Sequence, residues 1–105
     1  MVNKFDESNF DAEVLQSDIP VFVDFYADWC GPCKMLSPSV EAMESVFEGK
    51  VKIGKLNVDD NSDIAEQYNV MSIPTLIFFK NGQPVETSVG MISKAALQAK
   101  LEALA

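Results

Sequence analysis

The sequence has no histidine and no arginine, and only two cysteines in 105 residues. Without histidine or a second cysteine pair, a structural zinc site within the chain lacks its four ligands. Eight lysines face sixteen acidic residues, for a net charge of -8. A surface that tracks phosphates needs basic clusters, so nucleic acid and anionic membrane are both disfavoured as partners. No window reaches the length of a membrane span. The opening Met1-Val2-Asn3-Lys4-Phe5-Asp6 holds no apolar stretch of signal-peptide size. The expectation is a soluble, cytoplasmic protein, with a mature secreted chain left open. There is no internal repeat, low-complexity tract or long linker. No flavin or nicotinamide motif is present, so electrons for any redox reaction must come from another protein.

What is present points to a folded chain. About half of the residues are apolar, and the length suits one domain over residues 1–105 with a core that needs no staples. Both cysteines fall in Trp29-Cys30-Gly31-Pro32-Cys33. The run follows the apolar segment Ile19-Pro20-Val21-Phe22-Val23-Asp24-Phe25-Tyr26 and precedes a stretch of helical periodicity. A Cys-x-x-Cys at such a junction reads as a redox-active dithiol. The helix start offers unpaired N–H groups and a positive dipole end to the first sulfur, and both favour thiolate. A purely structural disulfide is a weaker reading, because so short a loop gains roughly 2 kcal/mol at most. An intermolecular metal site or a fortuitous pair also stays open.

The periodicities place the remaining elements. Phe10 and Val14 mark a short helix over about Ser8 to Gln16, with Ser8 and Asp11 as its capping box. Asp18 and Pro20 stop it. Val21 to Tyr26 forms a central strand covered on both faces. Leu36, Val40, Met43 and Phe47 line one side of a helix from about Cys33 to Phe47, kinked at Pro38 and ended by Gly49. Val51 to Val58 is a second buried strand. Asp60 or Asn61 caps a short helix reaching Tyr68, with Asn69 as its left-handed terminator. Thr75 to Phe79 and Val85 to Val89 form an antiparallel hairpin through Asn81-Gly82. Ser93 caps a last helix whose Leu97, Leu101 and Leu104 face inward. The order helix-strand-helix-strand-helix-strand-strand-helix predicts an α/β fold, a mixed sheet with helices on both faces.

With these elements in place, the chain resembles the thioredoxin family along essentially its whole length. The resemblance is carried by Val23-Asp24-Phe25-Tyr26-Ala27-Asp28-Trp29-Cys30-Gly31-Pro32-Cys33-Lys34-Met35. It continues in Lys55-Leu56-Asn57-Val58-Asp59, Ser72-Ile73-Pro74-Thr75, Phe78-Phe79-Lys80-Asn81-Gly82 and Val89-Gly90. It implies the thioredoxin fold, with a central mixed sheet, and a bacterial-type Trp-Cys-Gly-Pro-Cys active site. Gly31-Pro32 resembles the reducing branch of dithiol proteins. The lack of histidine agrees, since a cationic imidazole would hold the first sulfur as thiolate and make the disulfide more oxidising. The departures are mild. Tyr26 stands where many members carry a second tryptophan, and Ser72 where glycine is common. Met71 and Met91 occupy recognition-loop positions that vary, which bears on partner preference rather than on the reaction.

The resemblance also implies roles. Cys30 is the attacking nucleophile and Cys33 the resolving thiol, with a reversible Cys30–Cys33 disulfide between turnovers. Asp24, an acidic residue in an apolar strand, is expected to be buried and to assist deprotonation of Cys33. A hydrogen-bonded structural aspartate is the alternative. Lys55 is expected near Asp24 as a buried or half-buried pair, or else at an exposed edge. Ile73-Pro74 is expected to be a cis bond facing the dithiol, with the backbone at Ile73 pairing an extended substrate. Gly90 either permits close backbone approach at the same groove or is a turn glycine. Trp29, Gly31, Pro32, Ile73, Pro74, Gly90 and Met91 are the candidate substrate-binding residues. Trp29 could equally be a partly exposed core aromatic.

The leading function is that of a general protein-disulfide reductase acting on disulfide-containing client proteins. It would work as a monomer with no bound cofactor. Electrons would come from NADPH through a flavoprotein thioredoxin reductase, with a ferredoxin-linked reductase as the lesser alternative. An oxidase or isomerase in an oxidising compartment, and a non-enzymatic assembly subunit, are the competing functions.

Overall fold

The computed structural model describes residues 2–105. Its centre is the strand β2, Val21–Tyr26, at the bounds its apolar run predicts. Parallel β3, Lys52–Asn57, lies on one side and antiparallel β4, Thr75–Lys80, on the other. Strand β5, Gln83–Val89, pairs antiparallel with β4 and forms one edge. The other edge is β1, Asn3–Phe5, parallel to β3. The sheet order is β1-β3-β2-β4-β5, a mixed sheet.

Strand alternation divides the core. Phe22, Leu76 and Phe78 point to the face covered by α1, Gly31–Val46, and α3, Lys94–Leu104. Val21, Val23, Phe25, Ile77 and Phe79 point to the opposite face. There Phe10 and Val14, and Ile64 of α2, Ser62–Gln67, close over them. The helices therefore flank the sheet on both faces, the architecture of the thioredoxin fold. Period-two alternation puts Asp24 on the same face as Phe22, beneath α1. That accident of register brings the one carboxylate of β2 toward the helix that carries Cys33.

Several local expectations are corrected. Strand β1 precedes the first helical segment, which adds an element to the predicted order. Three residues with two exposed give almost no pattern, and pairing to β3 is what fixes them. The first helix is a π-helical turn, Asp11–Leu15, in which Gln16 N donates to Asp11 O at 2.9 Å. Its entrance is capped by Asp6, not Ser8. Asp6 Oδ1 accepts from Ser8 N at 2.8 Å and Asn9 N at 3.0 Å, while Asn9 Oδ1 accepts from Asp6 N at 2.8 Å. This is the reciprocal logic of a capping box one turn earlier. Asn61 precedes α2 without a side-chain cap. Its Oδ1 instead accepts from Glu7 N at 2.9 Å and its Nδ2 donates to Asn57 O at 3.0 Å, stitching loops together. Helix α1 begins at Gly31, two residues before the predicted start, and runs through Pro38 as one element.

Other signals appear as read. Asn69 is left-handed at φ 57° after α2. Ser93 Oγ accepts from Ala96 N at 3.1 Å, and Leu97, Leu101 and Leu104 are buried. Asn81 and Gly82 both have positive φ, 55° and 76°, as a type I′ hairpin turn requires. At Gly82 a Cβ would also stand 2.6 Å from the Leu15 carbonyl oxygen. Gly82→Ala should therefore destabilise the fold by on the order of 1–3 kcal/mol through backbone strain and this clash. Urea unfolding measures it, and a midpoint unchanged from wild type would contradict the close packing of the hairpin on the π-helical turn.

Candidate active site

The site forms where β2 hands over to α1. Tyr26 ends the strand, and its carbonyl accepts from Val58 N at 2.9 Å. Residues 27–29 turn the chain, with Cys30 N donating to Ala27 O at 3.2 Å. Cys30 is the N-cap of α1, in extended conformation, and its Sγ accepts from Cys33 N at 3.2 Å. Pro32 sits in the first turn, where its missing N–H would have had no partner. The two sulfurs are bonded to each other. That bond is the oxidised form of the dithiol and occupies both cysteines. Cys30 and Cys33 are each only 4% exposed and pack with Ala27, Tyr26, Val58 and Ile73.

Three further segments surround the sulfurs. The Ile73 carbonyl lies 3.8 Å from Cys30 Sγ. In the disulfide that sulfur carries no proton, so the contact becomes a hydrogen bond only as a thiol. The Ile73-Pro74 bond is cis, as expected. Pro74 itself is buried, so it underlies the groove rather than offering surface. Its carbonyl accepts from Gly90 N at 2.8 Å, which brings the end of β5 alongside. Gly90 has φ 92° and open space where a Cβ would be. It serves the turn conformation, and the close approach entertained for it is not its reason. Gly31 and Pro32 are exposed at the helix start, Ile73 is half-buried and Met91 is exposed. Trp29 is 70% exposed, which rules out the core reading, and its indole N–H donates to Asp59 Oδ2 at 2.9 Å. Asp59 is a contact that sequence reasoning missed. It lies just past β3, on the same end of the sheet as the dithiol, but nothing in its spacing announces a partner 30 residues away.

Beside Cys33 lies a cavity of about 170 Å³ lined by Asp24, Tyr26, Ala27, Asp28, Cys33, Lys34, Ser37 and Lys55. Asp24 is buried and its Oδ1 has no hydrogen-bond partner. Burial pushes its carboxyl up to about 7, and the charge of Lys55 opposes that only in part. Lys55 faces Asp24 in the β2–β3 register, half-buried. Yet among the described residues no ion pair joins them. The Lys55 ammonium lies over the Tyr26 ring, 5.1 Å from its centroid, a cation–π contact. The expected pair is thus a neighbour acting through its field, not a bonded salt bridge.

A family model described as Thioredoxin matches residues 1–103. The chain belongs to the thioredoxin family. Among curated relatives, it is 47% identical to a thioredoxin of Rickettsia felis over 92% of both chains. It is 50% identical to thioredoxin 1 of a Nostoc species, over 91% of this chain and 90% of that one. A thioredoxin of Porphyra purpurea is 45% identical over 95% and 94% of the two chains. As a thioredoxin-family enzyme, the protein is a thiol-disulfide oxidoreductase that reduces disulfides through Cys30 and Cys33. No helix among the described residues is long and apolar enough to cross a membrane.

Proposed function

We propose that this thioredoxin-family chain is a general reductase of protein disulfides, a single-domain cytoplasmic monomer recharged by a thioredoxin reductase. The supporting observation is the placement of Cys30 at the N-cap of α1 with a sulfur-directed N–H from Cys33. Once reduced, that N–H and the helix dipole favour a Cys30 thiolate. The thiolate attacks one sulfur of a client disulfide. The S–S bond of the client breaks, a Cys30–client mixed disulfide forms, and the other client sulfur leaves as thiolate. Asp24 takes the proton of Cys33 through the shared cavity. The Cys33 thiolate then attacks Cys30 Sγ, releases the second client thiolate and restores the Cys30–Cys33 disulfide. Lys55 tempers the charge Asp24 bears before it accepts the proton. Trp29, Gly31, Pro32, Ile73, Gly90 and Met91 dock the client, with Pro74 holding the groove from below. The chain carries no nucleotide-binding motif, so the two electrons per cycle come from another protein, and membership of the thioredoxin family implies a flavoprotein reductase driven by NADPH.

The reading is tested by NADPH oxidation in a mixture of this protein, a bacterial thioredoxin reductase and insulin. Steady consumption that vanishes in Cys30→Ser is the expected result; no consumption beyond the reductase alone would remove the proposed recycling. Trp29→Ala should raise the KM for insulin several-fold, by about 1 kcal/mol of lost apolar contact. A KM equal to wild type would remove Trp29 from the docking face.

A further inference from the structure

Four of the five methionines lie among the described residues, and they differ sharply in exposure. Met71 is 94% exposed and Met91 45%, Met35 is exposed on α1, and Met43 is buried in the core. Singly exposed apolar side chains are ordinary, and Met71 and Met91 are set apart by where they sit. Met71 and Met91 lie on the two segments that meet beside the dithiol. Met71 leads through Ser72 into Ile73, whose carbonyl lies 3.8 Å from Cys30 Sγ. Met91 follows Gly90, whose N–H donates to the Pro74 carbonyl at 2.8 Å. Both are thioethers, whose oxidation by peroxide needs access and no thiolate.

We propose that Met71 and Met91 form a paired modification site at which a peroxide converts the apolar rim of the client groove into a polar one and weakens client docking. The inference rests on the client groove proposed above and adds Met71 to its rim. In the reaction the thioether sulfur attacks one peroxide oxygen, an S–O bond forms and the O–O bond breaks. The sulfur loses two electrons and keeps that oxygen, and the other peroxide oxygen takes its proton and leaves as water. The sulfoxide is more polar and chiral, and it fits an apolar client surface poorly. The modification is not undone by reduction of Cys30–Cys33. It therefore persists through turnovers that reset the dithiol, and its reversal requires a methionine sulfoxide reductase.

The test uses the whole protein with the dithiol protected as its disulfide. Hydrogen peroxide is added, removed with catalase, and the disulfide is then reduced with dithiothreitol. Peptide mass mapping should find one added oxygen on Met71 and Met91 and none on Met43. Exposed Met35 should also be oxidised, since it shares access but sits on α1 rather than on the two segments that carry Met71 and Met91. The KM for insulin should rise about 5-fold, equivalent to about 1 kcal/mol, while reduction of a small aromatic disulfide stays as before. Treatment with methionine sulfoxide reductases should restore the insulin KM. In the double variant Met71→Leu, Met91→Leu, the ratio of treated to untreated KM should stay near one. In Met35→Leu it should match wild type. Mapped sulfoxides at Met71 and Met91 with an unchanged insulin KM overturn the proposal, as does an equal loss in the double variant. If the groove reading itself fails, Trp29→Ala shows a wild-type insulin KM without any peroxide, which separates the two failures.

Discussion

Cys33→Ser is expected to stop the exchange halfway, with the client held on Cys30. The sulfur at the α1 N-cap still attacks, because its activation comes from the helix start and from a backbone N–H that serine at position 33 retains. Resolution has no thiol. Mass spectrometry after mixing with insulin should show a stable mixed disulfide at Cys30, and turnover in the coupled assay should fall to background. Cys30→Ser should also lose turnover, but without trapping a client, since Cys33 lacks the N-cap position and the sulfur-directed N–H that activate Cys30. The asymmetry between the two variants is the informative result. Equal trapping by both would mean that either sulfur can attack, and trapping on Cys33 alone would reverse the roles.

Asp24→Asn is expected to make the protein more stable and slower. Burial pushes this carboxyl from its ordinary 3.8 up to about 7. The folded state therefore holds its proton more tightly than the unfolded state. The contribution of this group to stability is fully present below pH 3.8. It declines as pH rises from there to about 7, and is flat above that. The full loss is on the order of 4 kcal/mol, from about 1.4 kcal/mol per pH unit. Asparagine removes the loss but leaves an amide facing an incomplete hydrogen-bond shell. A net gain of about 1–3 kcal/mol at pH 8, shrinking toward pH 4, is the expected outcome of urea unfolding. The same variant should lose the pH dependence of mixed-disulfide resolution near neutrality, because the proton acceptor beside Cys33 is gone. A stability difference that does not vary with pH would sink the assignment of a raised carboxyl.

The main features of the fold were legible because they rest on strong local signals. Val21 to Tyr26 is apolar on both faces, the leucines and valine of α1 and α3 recur at helical spacing, and Asn81-Gly82 demands a tight hairpin. What escaped was set by partners distant in the chain. Asn3-Lys4-Phe5 becomes a strand only because β3 lies beside it. Ser8 and Asp6 are both competent caps, and the chain path chooses Asp6, where Asn9 can reciprocate. The π-helical turn has no composition signature. At the site, Asp24 was conspicuous as a carboxylate in an apolar strand, and alternation explains why it faces α1. The Lys55 ammonium was harder to place. Its register beside Asp24 follows from the parallel pairing, but its rest over Tyr26 depends on a side-chain choice that no spacing encodes. The Trp29–Asp59 bond was hidden for the same reason.

The central claim, that Cys30 and Cys33 form a reducing dithiol, is tested most directly by equilibrating the protein against glutathione buffers and counting free thiols by mass. With Gly31-Pro32 between the sulfurs and no histidine in the chain, the account predicts a potential near that of reducing dithiol proteins, about -270 mV. The protein should then remain a disulfide except at the most reducing glutathione ratios. A potential of about -180 mV or higher, in the range of oxidising and isomerising dithiols, would contradict it.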